Sequence, residues 1–167
     1  MSAKKIILSG VFTALLIGGQ LALSGISGIE VVTVLLLAFV YRYGISQGLL
    51  VANAFSLLRC FIFGFMPNVI VLYLIYYNIF VLVFGLIGNV FKHEYSVKKH
   101  IIVLFVAVIM TALFTMIDNV LTPLMYGFSY SATKAYFIAS LYTVTPQIVC
   151  TFATVLLLFS ILIKVFK

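Results

Sequence analysis

Acidic side chains are almost missing from this chain: Glu30, Glu94 and Asp118 are its three carboxylates in 167 residues. Charged residues of both signs make up 8%, where a soluble domain carries about 25%. A charge at the centre of a bilayer costs roughly 2.5–3.5 kcal/mol on insertion scales. This scarcity excludes an ordinary water-soluble globule and points into lipid. Cys60 and Cys150, both inside apolar stretches, supply neither a disulfide framework nor a metal-ligand spacing, and free thiols there behave as small hydrophobes. No Pro/Gly/Ser linker, charge run, low-complexity tract or short internal repeat divides the sequence, which reads as one membrane domain over 1–167. A Gly-x4-Gly-Lys-Ser/Thr loop is also missing, so the chain carries no phosphate cradle for ATP hydrolysis.

What is abundant is apolar surface: 65% hydrophobic residues and a mean hydropathy of +1.33. A membrane helix needs about 20 apolar residues to cross roughly 30 Å of hydrocarbon. The pattern predicts spans over about 5–23, 29–43, 46–65, 69–91, 99–123 and 135–164. Uncharged residues 60–91 would make one helix of about 48 Å, too long for a single crossing. Gly64, Pro67 and Asn68 supply the break, because proline removes a backbone donor. The first run, Ile6 to Ile29, is long enough to be a span rather than a removed signal peptide. Strict alternation is missing, so helices are expected over a barrel. The fold expected is an all-α bundle of six transmembrane helices.

Six spans put both termini on one side. Lys4, Lys5, Arg42, Lys92, Lys98, Lys99, Lys164 and Lys167 then share that side, with Lys134 on the other and Arg59 inside a span. Eight against one makes that side, and both termini, cytoplasmic. The net charge of +7 is spread over span ends rather than massed on a face, which argues against a nucleic-acid surface.

The remaining polar groups cluster toward the outer ends. Asp118 falls in the outer third of the fifth span, Arg59 in the outer half of the third, and Glu30 opens the short second span. Tyr73, Tyr76, Tyr77, Asn78, Asn119, Tyr126, Tyr130, Tyr142 and Gln147 are also placed outward, while Val81 to Ile87 and Val155 to Ile163 are nearly all apolar. The pattern describes a cup open outward on an apolar floor, not a through-pore. Plainer roles stand beside this one. Arg59 and Asp118 form an ion pair, Glu30 caps a helix, and the tyrosines form an interfacial belt. Gly10, Ala14 and Gly18 recur every four residues and allow close helix approach, within the bundle or to a separate partner.

These small residues, the Gly-rich stretch leading into Gly28-Ile29-Glu30-Val31-Val32-Thr33, the Arg42-Tyr43-Gly44 turn, and Leu57-Leu58-Arg59 ahead of Phe63-Gly64 resemble the substrate-binding (S) subunits of energy-coupling factor (ECF) transporters. The first-helix motif of that family is usually two alanines four apart, and here glycine replaces alanine at one or both positions. The resemblance implies a multi-pass subunit of the bacterial plasma membrane, without a cofactor or enzymatic activity. It would capture a water-soluble vitamin, vitamin precursor or related heterocycle in an outward-facing pocket. Its partners would be a transmembrane coupling subunit, docked on Gly10, Ala14 and Gly18, and two cytoplasmic ATPase subunits. The family's pocket regions correspond here to Glu30, Tyr73, Tyr77, Asp118, Asn119 and Gln147, with Arg59 as a further candidate. Glu30, Asp118 and Arg59 sum to one negative charge, which favours a neutral or cationic heterocycle, such as a queuosine-precursor-like or thiamine-like amine, over a phosphorylated one.

Two other classes compete. An intramembrane enzyme would use Asp118 and Glu30 as acid and base, but no activated nucleophile lies at that depth. A stand-alone transporter or channel would need an aqueous path that the apolar inner halves oppose. His93 and His100 are expected to be solvated loop residues rather than metal ligands.

Overall fold

A computed structural model describes residues 3–26 and 28–166. Among these, seven helices and no strand occur: α1 (Ala3–Leu23), α2 (Val32–Tyr43), α3 (Ile45–Leu58), α4 (Cys60–Phe63), α5 (Pro67–Val90), α6 (Val97–Tyr126) and α7 (Tyr130–Val165). Helices α3 and α4 run on as one apolar rod, Ile45–Phe63, because Arg59 keeps helical angles and its amide bonds to Phe55. Five apolar rods are long enough to cross a bilayer, and α2 is a shorter sixth. The protein is therefore an all-α bundle suited to a multi-pass membrane protein.

Helix α2 is the axis of the bundle. Val32, Thr33, Val34, Leu36, Leu37, Ala38, Phe39, Val40 and Tyr41 are all buried, so the helix is covered on every side. It packs against α1, α3, α5 and α7. Twelve residues give it about 18 Å of length, less than a hydrocarbon core. The longer helices around it leave a recess above its start. In lipid, close packing and interhelical hydrogen bonds hold such a bundle, since the tails are as apolar as leucine. Asn53 and Asn78 exchange amide bonds of 3.2 and 3.1 Å between α3 and α5, and Thr111 meets Thr151 at 2.9 Å between α6 and α7.

Two boundaries differ from those expected at prolines. Helix α6 continues past Pro123 and stops at Gly127, whose φ of 61° provides the left-handed cap. Helix α7 begins at 130, not 135, because Ser129 caps it by accepting from the Ala132 amide at 3.3 Å. It also runs through Pro146. Each proline removes one backbone bond, which a long apolar helix in lipid absorbs locally. Tyr126 and Tyr130 thus lie on helix ends rather than in a loop.

Most of the basic residues gather at one end. Arg42 Nε donates to the Phe166 carbonyl at 3.2 Å, Tyr41 Oη to the Glu94 carbonyl at 2.7 Å, and Lys99 Nζ to Glu94 Oε2 at 3.2 Å. His100 corrects its expected place in a solvated loop. It is buried in the first turn of α6, with Nε2 3.0 Å from the Val155 carbonyl of α7. At the same end Gly88 admits the α2 terminus: a Cβ there would sit 2.8 Å from the Tyr41 carbonyl oxygen and 3.2 Å from Tyr41 Cα. Gly88→Val is expected to destabilise the detergent-solubilised protein by about 1–3 kcal/mol, the usual cost of overpacking against backbone. A lowered melting temperature checks this, and an unchanged one refutes the close approach.

Candidate functional site

The opposite end of the bundle holds a cavity of about 280 Å3. Its wall combines Leu23 at the end of α1 and the connection after it (Ser24, Ile26, Gly28, Ile29, Glu30) with side chains of every long helix. Gly28 sets that connection. Its φ is +78°, and an added Cβ would lie 2.7 Å from Pro146 Cγ, so only glycine seats the segment against α7.

Glu30 stands just before α2. Its carboxylate accepts from the Thr33 amide at 3.2 Å and from the Thr33 hydroxyl. It therefore caps α2 while also lining the cavity.

Arg59 lies across from it, 8% exposed. Its guanidinium carbon sits 4.1 Å above the Tyr73 ring and 4.9 Å from that of Phe63. Nε donates to Gln20 Oε1 at 3.0 Å, and Gln20 Nε2 donates to Tyr73 Oη at 3.0 Å. This relay fixes the planes of all three groups. Among the described residues the one ion pair is Lys99–Glu94, so Arg59 is not paired with Asp118 or Glu30. The expected alternative of an Arg59–Asp118 pair is corrected.

Tyr73, Tyr76, Tyr77 and Phe114 complete an aromatic cage. Ring centroids are 5.1 Å apart for Tyr73–Tyr77 and Tyr76–Tyr77, and 4.9 Å for Tyr76–Phe114. Among the described residues, no hydrogen-bond partner meets the terminal nitrogens of Arg59, the hydroxyls of Tyr76 and Tyr77, or the Gln147 amide. Polar groups in an apolar cage seek partners. Below them Phe39, Phe80, Val81 and Phe84 are fully buried and close the bundle toward the basic end.

Five of the seven expected residues therefore share this cavity: Glu30, Arg59, Tyr73, Tyr77 and Gln147. Asp118 does not. It lies in an adjoining cleft of about 340 Å3, reached past Phe114 and Gln147, which line both spaces. There it accepts from Tyr136 Oη and Thr122 Oγ1, each at 2.6 Å. Asn119 is turned away from both spaces: it is buried against α7 and donates to Ser140 Oγ at 2.8 Å. Adjacent helical residues point about 100° apart, and here that step turns Asn119 from the cleft onto Ser140. Tyr142 is 81% exposed and also points away.

Sequence reading passed over Gln20, Thr33, Phe63, Thr111 and Phe114, and placed Tyr76 outward without assigning it to the site. Gln20 carried a signal, an amide within an otherwise apolar run. Phe63 and Phe114 carried none, because phenylalanine is ordinary in any span.

Comparison with protein-family models, curated proteins and solved structures gives no match to this chain. The functional reading therefore rests on the site. A space of this size, with stacking faces, one charge of each sign and several uncommitted donors, suits a small planar polar molecule rather than a lipid tail.

The small-residue face of α1 has a separate place. Ser9, Phe12, Thr13 and Leu16 carry the buried face of α1, whereas Gly10, Ala14 and Gly18 are exposed. A Cβ at Gly10 or Gly18 would meet nothing within 4 Å. Packing inside the bundle is thus not their role. With Ile17, Leu50, Ala54 and Leu58, Gly10 and Ala14 line an apolar groove of about 310 Å3 between α1 and α3.

Proposed function

We propose that this protein is the membrane-embedded substrate-binding subunit of an ECF-type importer, taking up a small water-soluble vitamin, vitamin precursor or related heterocycle. The observation that carries the reading is the cavity: Arg59, Tyr76, Tyr77 and Gln147 direct uncommitted polar groups into an aromatic cage at the end remote from the basic residues. The positive-inside bias supports an orientation with six crossings, both termini in the cytoplasm and the cavity outward. The closed apolar packing beneath the cage supports capture rather than free conduction. Partner ATPases and a coupling subunit supply the power stroke in this reading, with the exposed Gly10, Ala14 and Gly18 face as the docking surface.

Glu30 and Arg59 balance in the cavity, and Asp118 adds a negative charge in the cleft beside it. A neutral or cationic ring fits this layout, its acceptor edge toward Arg59 and any amine toward Glu30 or the cleft. Binding of a cationic ligand favours ionised Glu30. Glu30→Gln is therefore expected to weaken binding of a cationic ligand, read by calorimetric titration; unchanged affinity would remove Glu30 from the ligand contacts. Tight binding of a polycarboxylate or phosphorylated compound would refute the charge assignment.

The direct test is purification of the tagged protein with its membrane neighbours. Co-purifying ATPase subunits, a bound small molecule in the mass spectrum and partner-dependent, ATP-driven uptake are the expected results. Turnover or uptake by the isolated chain overturns the reading.

A further inference from the structure

We propose a second binding site, for a phosphate-bearing anion, at the basic end of the bundle. A cavity of about 490 Å3 lies there between the end of α2, the α5–α6 connection and the end of α7. Arg42, Lys92, His93, Glu94, Tyr95 and Lys164 line it. It is independent of the outer cavity and of the transport reading.

The charges do not cancel. Glu94 is already bonded to Lys99 at 3.2 Å, which leaves Arg42, Lys92 and Lys164 without a carboxylate partner among the described residues. Arg42 is anchored at Nε by the Phe166 carbonyl, and no other hydrogen bond of its guanidinium occurs among those residues. A planar fork held at one nitrogen is prearranged to chelate two oxygens of one phosphate.

The backbone is held in an unusual form to build this wall. Lys92 and His93 take φ of 54° and 55°, left-handed values that are uncommon outside glycine and that lysine in particular rarely adopts. The His93 amide bonds back to the Gly88 carbonyl at 2.9 Å, and the His93 ring contacts the Tyr41 carbonyl through Nδ1. Two consecutive left-handed residues turn the chain sharply after α5, and Lys92 lines the same cavity as Arg42. Strained, tied-down turns of this kind concentrate at binding sites. The chemistry selects an anionic phosphate group, that of a lipid headgroup or of free phosphate.

Reconstitution of the full chain in phosphatidylcholine nanodiscs doped with phosphatidylglycerol tests the site. Native mass spectrometry is expected to show phosphatidylglycerol retained over phosphatidylcholine. Lys92→Gln and Lys164→Gln, both with exposed side chains, are each expected to cut retention about fivefold, the value of one surface cation. Lys134→Gln, at the other end, is expected to leave it unchanged. The second probe is inorganic phosphate, titrated onto the chain in phosphatidylcholine alone. A saturable thermal shift that Lys92→Gln abolishes assigns the cavity to free phosphate; no shift alongside retained phosphatidylglycerol assigns it to a headgroup. Equal retention of both lipids with no phosphate shift, or an equal loss in Lys134→Gln, overturns the proposal.

Discussion

Replacing Arg59 by methionine is expected to weaken ligand binding at least about 30-fold while the bundle stays folded. The guanidinium is held over Tyr73 and bonded to Gln20, and its remaining donors have no protein partner among the described residues. A bound heterocycle would receive a charge-assisted hydrogen bond from it in a desolvated cage. Truncating one partner of such a pair costs about 2–5 kcal/mol, or roughly 30- to several-thousandfold in Kd. Stability should move the other way. An unpaired buried cation is expensive, and an apolar side chain of similar length relieves that expense. The melting temperature of the ligand-free variant should therefore equal or exceed that of the parent protein. Arg59→Lys keeps the charge without the stacked plane and is expected to bind with intermediate affinity. Calorimetric titration with the ligand identified by mass spectrometry reads all three proteins. Full affinity in Arg59→Met would make the arginine a structural brace and remove it from the site.

Leucine at both Gly10 and Gly18 is expected to suppress ATP-driven uptake without changing ligand affinity or melting temperature. Both glycines lie on the outward face of α1, where an added Cβ meets no atom of this chain. In lipid a leucine there is harmless, since no internal packing is disturbed. A coupling helix resting on that face would be pushed away. Overpacking of this kind costs about 1–3 kcal/mol, or roughly five- to 150-fold in partner association. The two readouts separate the roles, because loss of binding along with uptake would indicate a damaged fold. Uptake that survives the double substitution would move the docking surface elsewhere on the bundle.

The helices could be read from hydropathy because every backbone amide in lipid must be satisfied within its own segment. The expected spans lie within a few residues of the observed helices over most of the chain. The exceptions sit at Pro123 and at Ser129, where a proline was taken as a stop and a serine cap was missed. The site was half legible. Glu30, Arg59 and Gln147 stood out because polar groups in apolar runs are rare. Depth and the family resemblance group Asp118 and Asn119 with them, and neither says in which direction a side chain points.

Composition and hydrophobic run length alone made this an all-helical, lipid-embedded chain with its basic residues at one end, because the cost of burying charge and bare backbone leaves few other solutions. Rotation of each helix about its own axis was decided by tertiary packing. It placed Arg59 over Tyr73 instead of beside Asp118, turned Asn119 onto Ser140, and left Gly10 and Gly18 facing outward. Hydropathy measures only how deep a residue lies. Which neighbour it meets depends on how side chains interlock across helices, and uniformly apolar runs carry almost no trace of that.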